Sequence, residues 1–205
     1  MIRWLATVRG YSMKHDHADS DLLSESDRKV LTDLAFASIR HGLEQRGPLP
    51  FHASEETPRS MLAPGACFVT LKKNGQLRGC IGSLEARRPL AEDVCANAHA
   101  AAFHDPRFAP LTEDELANLE LSISVLTPAQ PLAFDSEQDL IEKLQPGVDG
   151  LILTDAGQRG TFLPSVWEQL PQAVDFLRHL KLKAGLPADY WSDTVCIERY
   201  TTISW

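Results

Sequence analysis

Leu71-Lys72-Lys73-Asn74-Gly75-Gln76-Leu77-Arg78-Gly79-Cys80-Ile81-Gly82 is the stretch that decides the fold of this chain. The run Cys67-Phe68-Val69-Thr70-Leu71-Lys72-Lys73 is rich in β-forming residues. Asn74-Gly75 follows, the strongest short hairpin signal, because a type I′ turn needs positive φ at both central residues. The chain then returns as Gln76 to Gly82. A two-residue loop sets Lys73 opposite Gln76, Leu71 opposite Arg78 and Val69 opposite Cys80. Side chains alternate across a strand. Arg78 and Cys80 are therefore expected on the face of Val69 and Leu71, with Gly79 and Ile81 on the other. A bulge at Gly79 would shift the pairing by one and carry Cys80 to the opposite face.

Outward from the hairpin, Leu119-Glu120-Leu121-Ser122-Ile123-Ser124-Val125 alternates strictly and is expected as a half-buried strand. Its apolar face is Leu119, Leu121, Ile123 and Val125. Glu120, Ser122 and Ser124 face either solvent or a polar cleft wall. A helix is expected at about 27–45, where Val30, Leu31, Leu34, Ala35 and Ile39 recur at helical spacing, with Ser26 as N-cap. Residues 51–63 show no clear element. A second helix spans about 89–103 with Pro89 at its first position and Glu92 and Asp93 at the positive end of its dipole. A short helix at 137–145, a hairpin of 150–154 with 160–163 around Ala156-Gly157, a helix at 171–184 and one terminal strand at 195–204 complete the pattern. Hairpins interspersed with helices, without repeating βαβ units, indicate an α+β fold with a mainly antiparallel sheet and flanking helices. Residues 1–25 are expected to be a polar tail, with Met13 an alternative start, and 26–205 to be the domain. His15 and His17 in the tail lie in a solvated tract.

The 205 residues carry a net charge of −8. Nucleic-acid binding draws most of its affinity from phosphate neutralisation, and no basic stripe is present. Arg178, His179, Lys181 and Lys183, at helical spacing, are expected to be one solvated face. No run approaches the roughly 20 apolar residues that span a bilayer. Cys67, Cys80, Cys95 and Cys196 form no CxxC pair, and no secretory segment precedes them. Free thiols in a reducing cytoplasm are the simplest expectation.

Five segments in order carry a family resemblance: Leu77 to Gly82 (LRGCIG), Asp105-Pro106-Arg107-Phe108, Leu121 to Leu126, Phe162-Leu163-Pro164-Ser165-Val166, and Lys183 to Pro187. Together they resemble the AMMECR domain family over about residues 26–203, departing from its pattern at Ala109 and Ser165, where proline and glutamine are usual. The resemblance implies two unequal α+β lobes with the signature residues lining a cleft. It also implies kinship with system protein A of the AmmeMemoRadiSam type, which accompanies a Memo-like protein and a radical-SAM protein. It implies no reaction and no cofactor.

Cys80 is the candidate nucleophile. Its thiol is useful if a cation such as Arg78 lowers its pKa, and it is equally a residue type that serves as a buried structural thiol. Gly79 and Gly82 would let a ligand approach bare backbone. Arg78 and Arg107 could bind a small carboxylate or phosphate bidentately, or form internal salt bridges to Asp105 or Glu120. With Asp105 they complete the expected ligand-binding set. His104 could serve as a base for a thiol or simply complement a helix C-terminus. His99 and His104 do not share a helix face and have no third ligand at zinc spacing, so no metal site is expected. Asn97 is expected to be a hydrogen-bonded core residue. The two functional readings are an enzyme component acting on a small anionic group and a non-catalytic protein-interaction module.

Overall fold

The computed structural model describes residues 23–205. Its helices are α1 (Glu25–Gln45), α2 (Arg59–Leu62), α3 (Leu90–Phe103), α4 (Glu137–Lys143) and α5 (Ala173–Lys183). Its strands are β1 (Pro64–Gly65), β2 (Cys67–Lys73), β3 (Gln76–Gly82), β4 (Arg88–Pro89), β5 (Leu119–Leu126), β6 (Gln130–Pro131), β7 (Gly150–Asp155), β8 (Gln158–Phe162), β9 (Cys196–Tyr200) and β10 (Thr202–Ser204). The strands form a two-stranded pair, β1-β4, and two four-stranded sheets ordered β10-β5-β2-β3 and β6-β9-β7-β8. All pairings are antiparallel. The expected α+β class with antiparallel sheets is what the chain adopts. Among the described residues no helix is long and apolar enough to cross a membrane.

Each four-stranded sheet has its own core. In the first lobe, Val69, Leu71 and Ile123 meet Leu31, Ile39, Val94 and Ala98 of α1 and α3. In the second, Leu151, Leu153 and Ile197 meet Leu140 of α4 and Phe176, Leu177 and Leu180 of α5. Trp167 stacks on Phe176 with ring centroids 3.8 Å apart.

Helix α1 starts two residues earlier than the apolar period suggests, at Glu25. Ser24, not Ser26, is its N-cap and forms a reciprocal capping box with Asp27, satisfying two otherwise orphan donors. Leu23 is already buried in the first core, ahead of the boundary expected at 26. The rest of the expected tail, and His15 and His17 with it, lies outside the described residues. Pro89 caps α3 instead of opening it. The stretch 51–63 contains α2, whose Met61 is buried. The single terminal strand is two, β9 in the second sheet and β10 in the first, separated at Thr201 where its N–H donates to Thr127 Oγ1. Lys181 leaves the expected solvated face: it is 1% exposed and donates to Glu137 of α4, beside the Trp191 ring.

The expected β2–β3 register holds at the turn and fails beyond it. Asn74 and Gly75 both have positive φ, and Lys73 pairs with Gln76. Lys72 then pairs with Leu77, but Leu71 pairs with Gly79, so Arg78 is an extra, bulged residue. Thr70 rather than Val69 faces Cys80. Gly79 and Ile81 therefore join the inward face of Leu71 and Val69, and Cys80 moves to the outward face.

Close packing explains the bulge. A Cβ on Gly79 would stand 2.1 Å from the carbonyl oxygen of Ala101 on α3. Only a glycine lets α3 lie that close to β3, and the extra residue at Arg78 brings it there. Gly79→Ala is expected to lower the urea midpoint by an amount equal to ~1–3 kcal/mol or more, the cost of forcing atoms into a packed core. Gly47→Ala, where an added carbon meets nothing within 4 Å, serves as the control and leaves the midpoint unchanged.

Candidate functional site

Asp105 and Arg107 reach the Cys80 backbone where α3 ends, and Arg78 lies nearby across the Phe108 ring. Helix α3 stops at Phe103, and the chain turns through Asp105-Pro106 beside β3. Strand β3 is a sheet edge, so its outward backbone groups need partners from elsewhere. Asp105 and Arg107 supply them. The Cys80 N–H donates to Asp105 Oδ2 at 2.9 Å, and Arg107 Nη2 donates to the Cys80 carbonyl at 3.4 Å. The two side chains thus stand in for a missing neighbouring strand. They also bind each other, Nε to Oδ1 at 2.9 Å and Nη2 to Oδ2 at 2.6 Å. Asp105 is 4% exposed. The Arg107 hydrogen bonds, more than any other cause, hold its carboxyl well below the usual carboxylate range against the opposing effect of burial.

Arg78 is closed in the same way by a residue outside the expected set. Its Nε and Nη2 donate to the two oxygens of Glu115, each at 2.9 Å, and Nη2 also donates to the Ala109 carbonyl at 3.0 Å. Lys73 Nζ reaches the same carboxylate at 3.1 Å. Glu120, the alternative expected partner, instead accepts from the Gly75 N–H. Glu115 is pulled far down, first by Arg78. Its sequence signal was present as Thr112-x-x-Glu115, a capping box that opens a short 3-10 helix. That pattern announces a helix start without naming the arginine across the fold. The Phe108 ring lies between the two guanidiniums, 5.9 Å from Arg78 and 5.5 Å from Arg107.

Cys80 is half-buried and its Sγ accepts from the Thr70 hydroxyl at 3.3 Å. Among the described residues no hydrogen bond joins it to a histidine. His104 instead packs on the ring of His99, centroids 5.1 Å apart, although the two are five positions apart. Burial, then His104 and His41, push His99 below its ordinary pKa. No three His, Cys, Asp or Glu side chains gather as metal ligands among the described residues. Burial raises the Cys67 thiol well above its ordinary value and Cys95 to about 11. Asn97 is the core hydrogen-bonder expected, donating to Cys67 O, Ser83 Oγ and Asp93 Oδ2.

Two expected ligand contacts have packing reasons. Gly79 faces Ala101, and a Cβ on Gly82 would meet the Phe68 ring at 2.2 Å. A recessed cavity of about 430 Å³ does lie between the lobes, but Arg78, Cys80, Asp105 and Arg107 do not line it. The signature residues converge on one another and not on that cleft.

Both low carboxylates tie stability to pH. Their folded pKa values are depressed, so their contribution is complete above the ordinary values of 3.8 for Asp105 and 4.5 for Glu115. It is lost progressively as pH falls below them, when the unfolded chain takes up protons first. The urea midpoint is expected to drop between about pH 5 and pH 3. Glu115→Gln should lower the midpoint at neutral pH by ~1–3 kcal/mol, less than a fully buried pair because both side chains keep some solvent contact. It should also make the acid decline shallower. A variant that declines as steeply as the parent would show that Glu115 is not its source.

The AMMECR1 family profile matches residues 32–205. A protein of Methanothermobacter thermautotrophicus is 37% identical over 176 residues, covering 83% of this chain and 88% of its own length. Protein MK0488 of Methanopyrus kandleri is 36% identical over 183 residues, covering 85% and 84%. In three dimensions the fold is similar to the crystal structure titled Uncharacterized Protein PH0010 from Pyrococcus horikoshii, with a TM-score of 0.76 and 29% identity over 89% of this chain and 92% of that one. Profile, relatives and fold agree over both lobes, and the chain belongs to the AMMECR1 family.

Proposed function

We propose that this chain is the system protein A component of an AmmeMemoRadiSam-type set, working beside a Memo-like protein and a radical-SAM protein, and that its LRGCIG segment is a docking element rather than a nucleophile site. One observation carries this reading: both signature guanidiniums are already neutralised by carboxylates of the same chain. Arg78 holds Glu115 and Arg107 holds Asp105, each through paired hydrogen bonds. An external small anion would have to displace a charge-assisted pair to bind there. The strand face that remains open carries Leu77, 43% exposed, and the half-buried Cys80. An exposed leucine beside a rigid, ion-paired loop is a natural anchor for a partner surface.

The enzyme reading, in which the segment binds a small anionic group and Cys80 attacks, keeps one observation in its favour. Nη1 of Arg78 is buried with no hydrogen-bond partner among the described residues. Such a donor is usually explained by a ligand or a water.

The test is reconstitution with a Memo-like protein and a radical-SAM protein. Leu77→Asp is expected to weaken the complex by about tenfold or more, as loss of an interface anchor does, without moving the unfolding midpoint. Cys80→Ser should leave the complex intact. Peptide-resolved alkylation decides the rival: Cys80 labelled faster than the exposed Cys196, and slowed by Arg78→Ala, would return the segment to nucleophilic chemistry.

A further inference from the structure

The second sheet has two faces with different fates. Leu151, Leu153 and Ile197 point into the core of the second lobe. The alternate residues point the other way. Strand pairing sets Ile152 beside Glu198 and Thr161, and Gly150 beside Tyr200. Ile152, Thr161, Glu198 and Tyr200 form one wall of the recessed cavity between the lobes. The opposite wall comes from the first lobe and is apolar, with Leu84, Leu90, Val125 and Ile203. At about 430 Å³, the space lies within the range that small-molecule sites occupy.

Glu85, Arg159 and Glu198 are the charged residues among those lining this cleft. Arg159 Nη1 donates to Glu85 at 3.0 Å, joining the lobes across the cleft. Glu198 is half-buried beside the buried Ile197 and has no hydrogen-bond or ion-pair partner among the described residues. Tyr200 cannot serve it, since its hydroxyl is engaged with Thr161 Oγ1 and the Phe162 carbonyl. A half-buried carboxylate with no partner is open to a donor that enters the cleft.

We propose that the cleft between the lobes binds a small apolar molecule bearing one cationic amine head, with Glu198 as the counter-ion and the apolar walls enclosing the body. The site is separate from the LRGCIG surface and stands or falls independently of the docking reading.

The probes are n-octylamine, octanoate and 1-octanol, titrated by calorimetry into the full-length protein. Octylamine is expected to bind at least about tenfold tighter than the acid or the alcohol, the advantage of a charge-assisted pair. Glu198→Gln should erase that preference while the alcohol binds as before. Ala129→Trp, a bulky group on the loop lining the cleft, should block all three probes. Unfolding midpoints confirm that both variants fold. Equal or tighter binding of octanoate overturns the proposal, as does octylamine binding that survives Ala129→Trp or keeps its preference in Glu198→Gln. Absence of saturable binding by all three up to roughly 1 mM, the weak end of specific affinity, overturns it too.

Discussion

The carbonyl of Ala101 sits where a side chain on β3 would otherwise stand, and that steric constraint organises the first lobe. A glycine must occupy the point of contact. The strand can place Gly79 there only by absorbing an extra residue, and Arg78 is that residue. Bulging Arg78 out of the ladder aims its guanidinium at Glu115. Shifting the register by one sends Cys80 away from the core and turns its backbone toward Asp105. The segment Leu77 to Gly82 is thus, in physical terms, the set of residues that brings a helix against an edge strand while the Cys80 backbone keeps its partners.

This changes what the charged residues of the motif are for. Edge strands invite association with other chains. Here the edge is closed by side chains: Asp105 takes the N–H of Cys80 and Arg107 takes its carbonyl. A carboxylate and a guanidinium held this closely are rigid, and the arginine remains half-exposed at 53% of its side chain. The pair leaves the charges of Asp105 and Arg107 matched within the chain.

Local signals were legible in the sequence, and long-range ones were not. The Asn74-Gly75 turn, the alternation of β5 and the hairpin around Ala156-Gly157 follow from neighbouring residues alone, and all formed as expected. The bulge at Arg78 depends on a helix backbone more than twenty residues away, so alternation extrapolated from the turn placed Cys80 on the wrong face. Lys181 fell on a polar helical stripe, yet α4 brings Glu137 to it. His99 and His104 meet because His104, the cap residue after α3, departs from helical geometry, not because of their spacing. The resemblance implied a cleft lined by the signature residues, whereas Asp105 and Arg107 close on the Cys80 backbone; the ionic closure by Glu115 was hidden, because a capping box names only its own helix. The cleft between the lobes had no signal at all, since its walls come from strands far apart in the chain.

The division of the final strand has a consequence for how the molecule is made. The first lobe is discontinuous: its sheet ends in β10, which follows the whole second lobe in the chain. The indole of Trp205 donates to Thr32, 173 positions earlier. Closing so long a loop costs only slightly more entropy than closing a shorter one, but contacts of such separation slow folding. On the ribosome, β5 emerges and pairs with β2 while the strand that will cover its other edge has not yet been synthesised. For that interval the nascent first lobe presents an open β edge beside an unfinished core, the kind of surface that draws chaperones or misassociates. The second lobe, contiguous in the chain, must therefore emerge before the first can be completed.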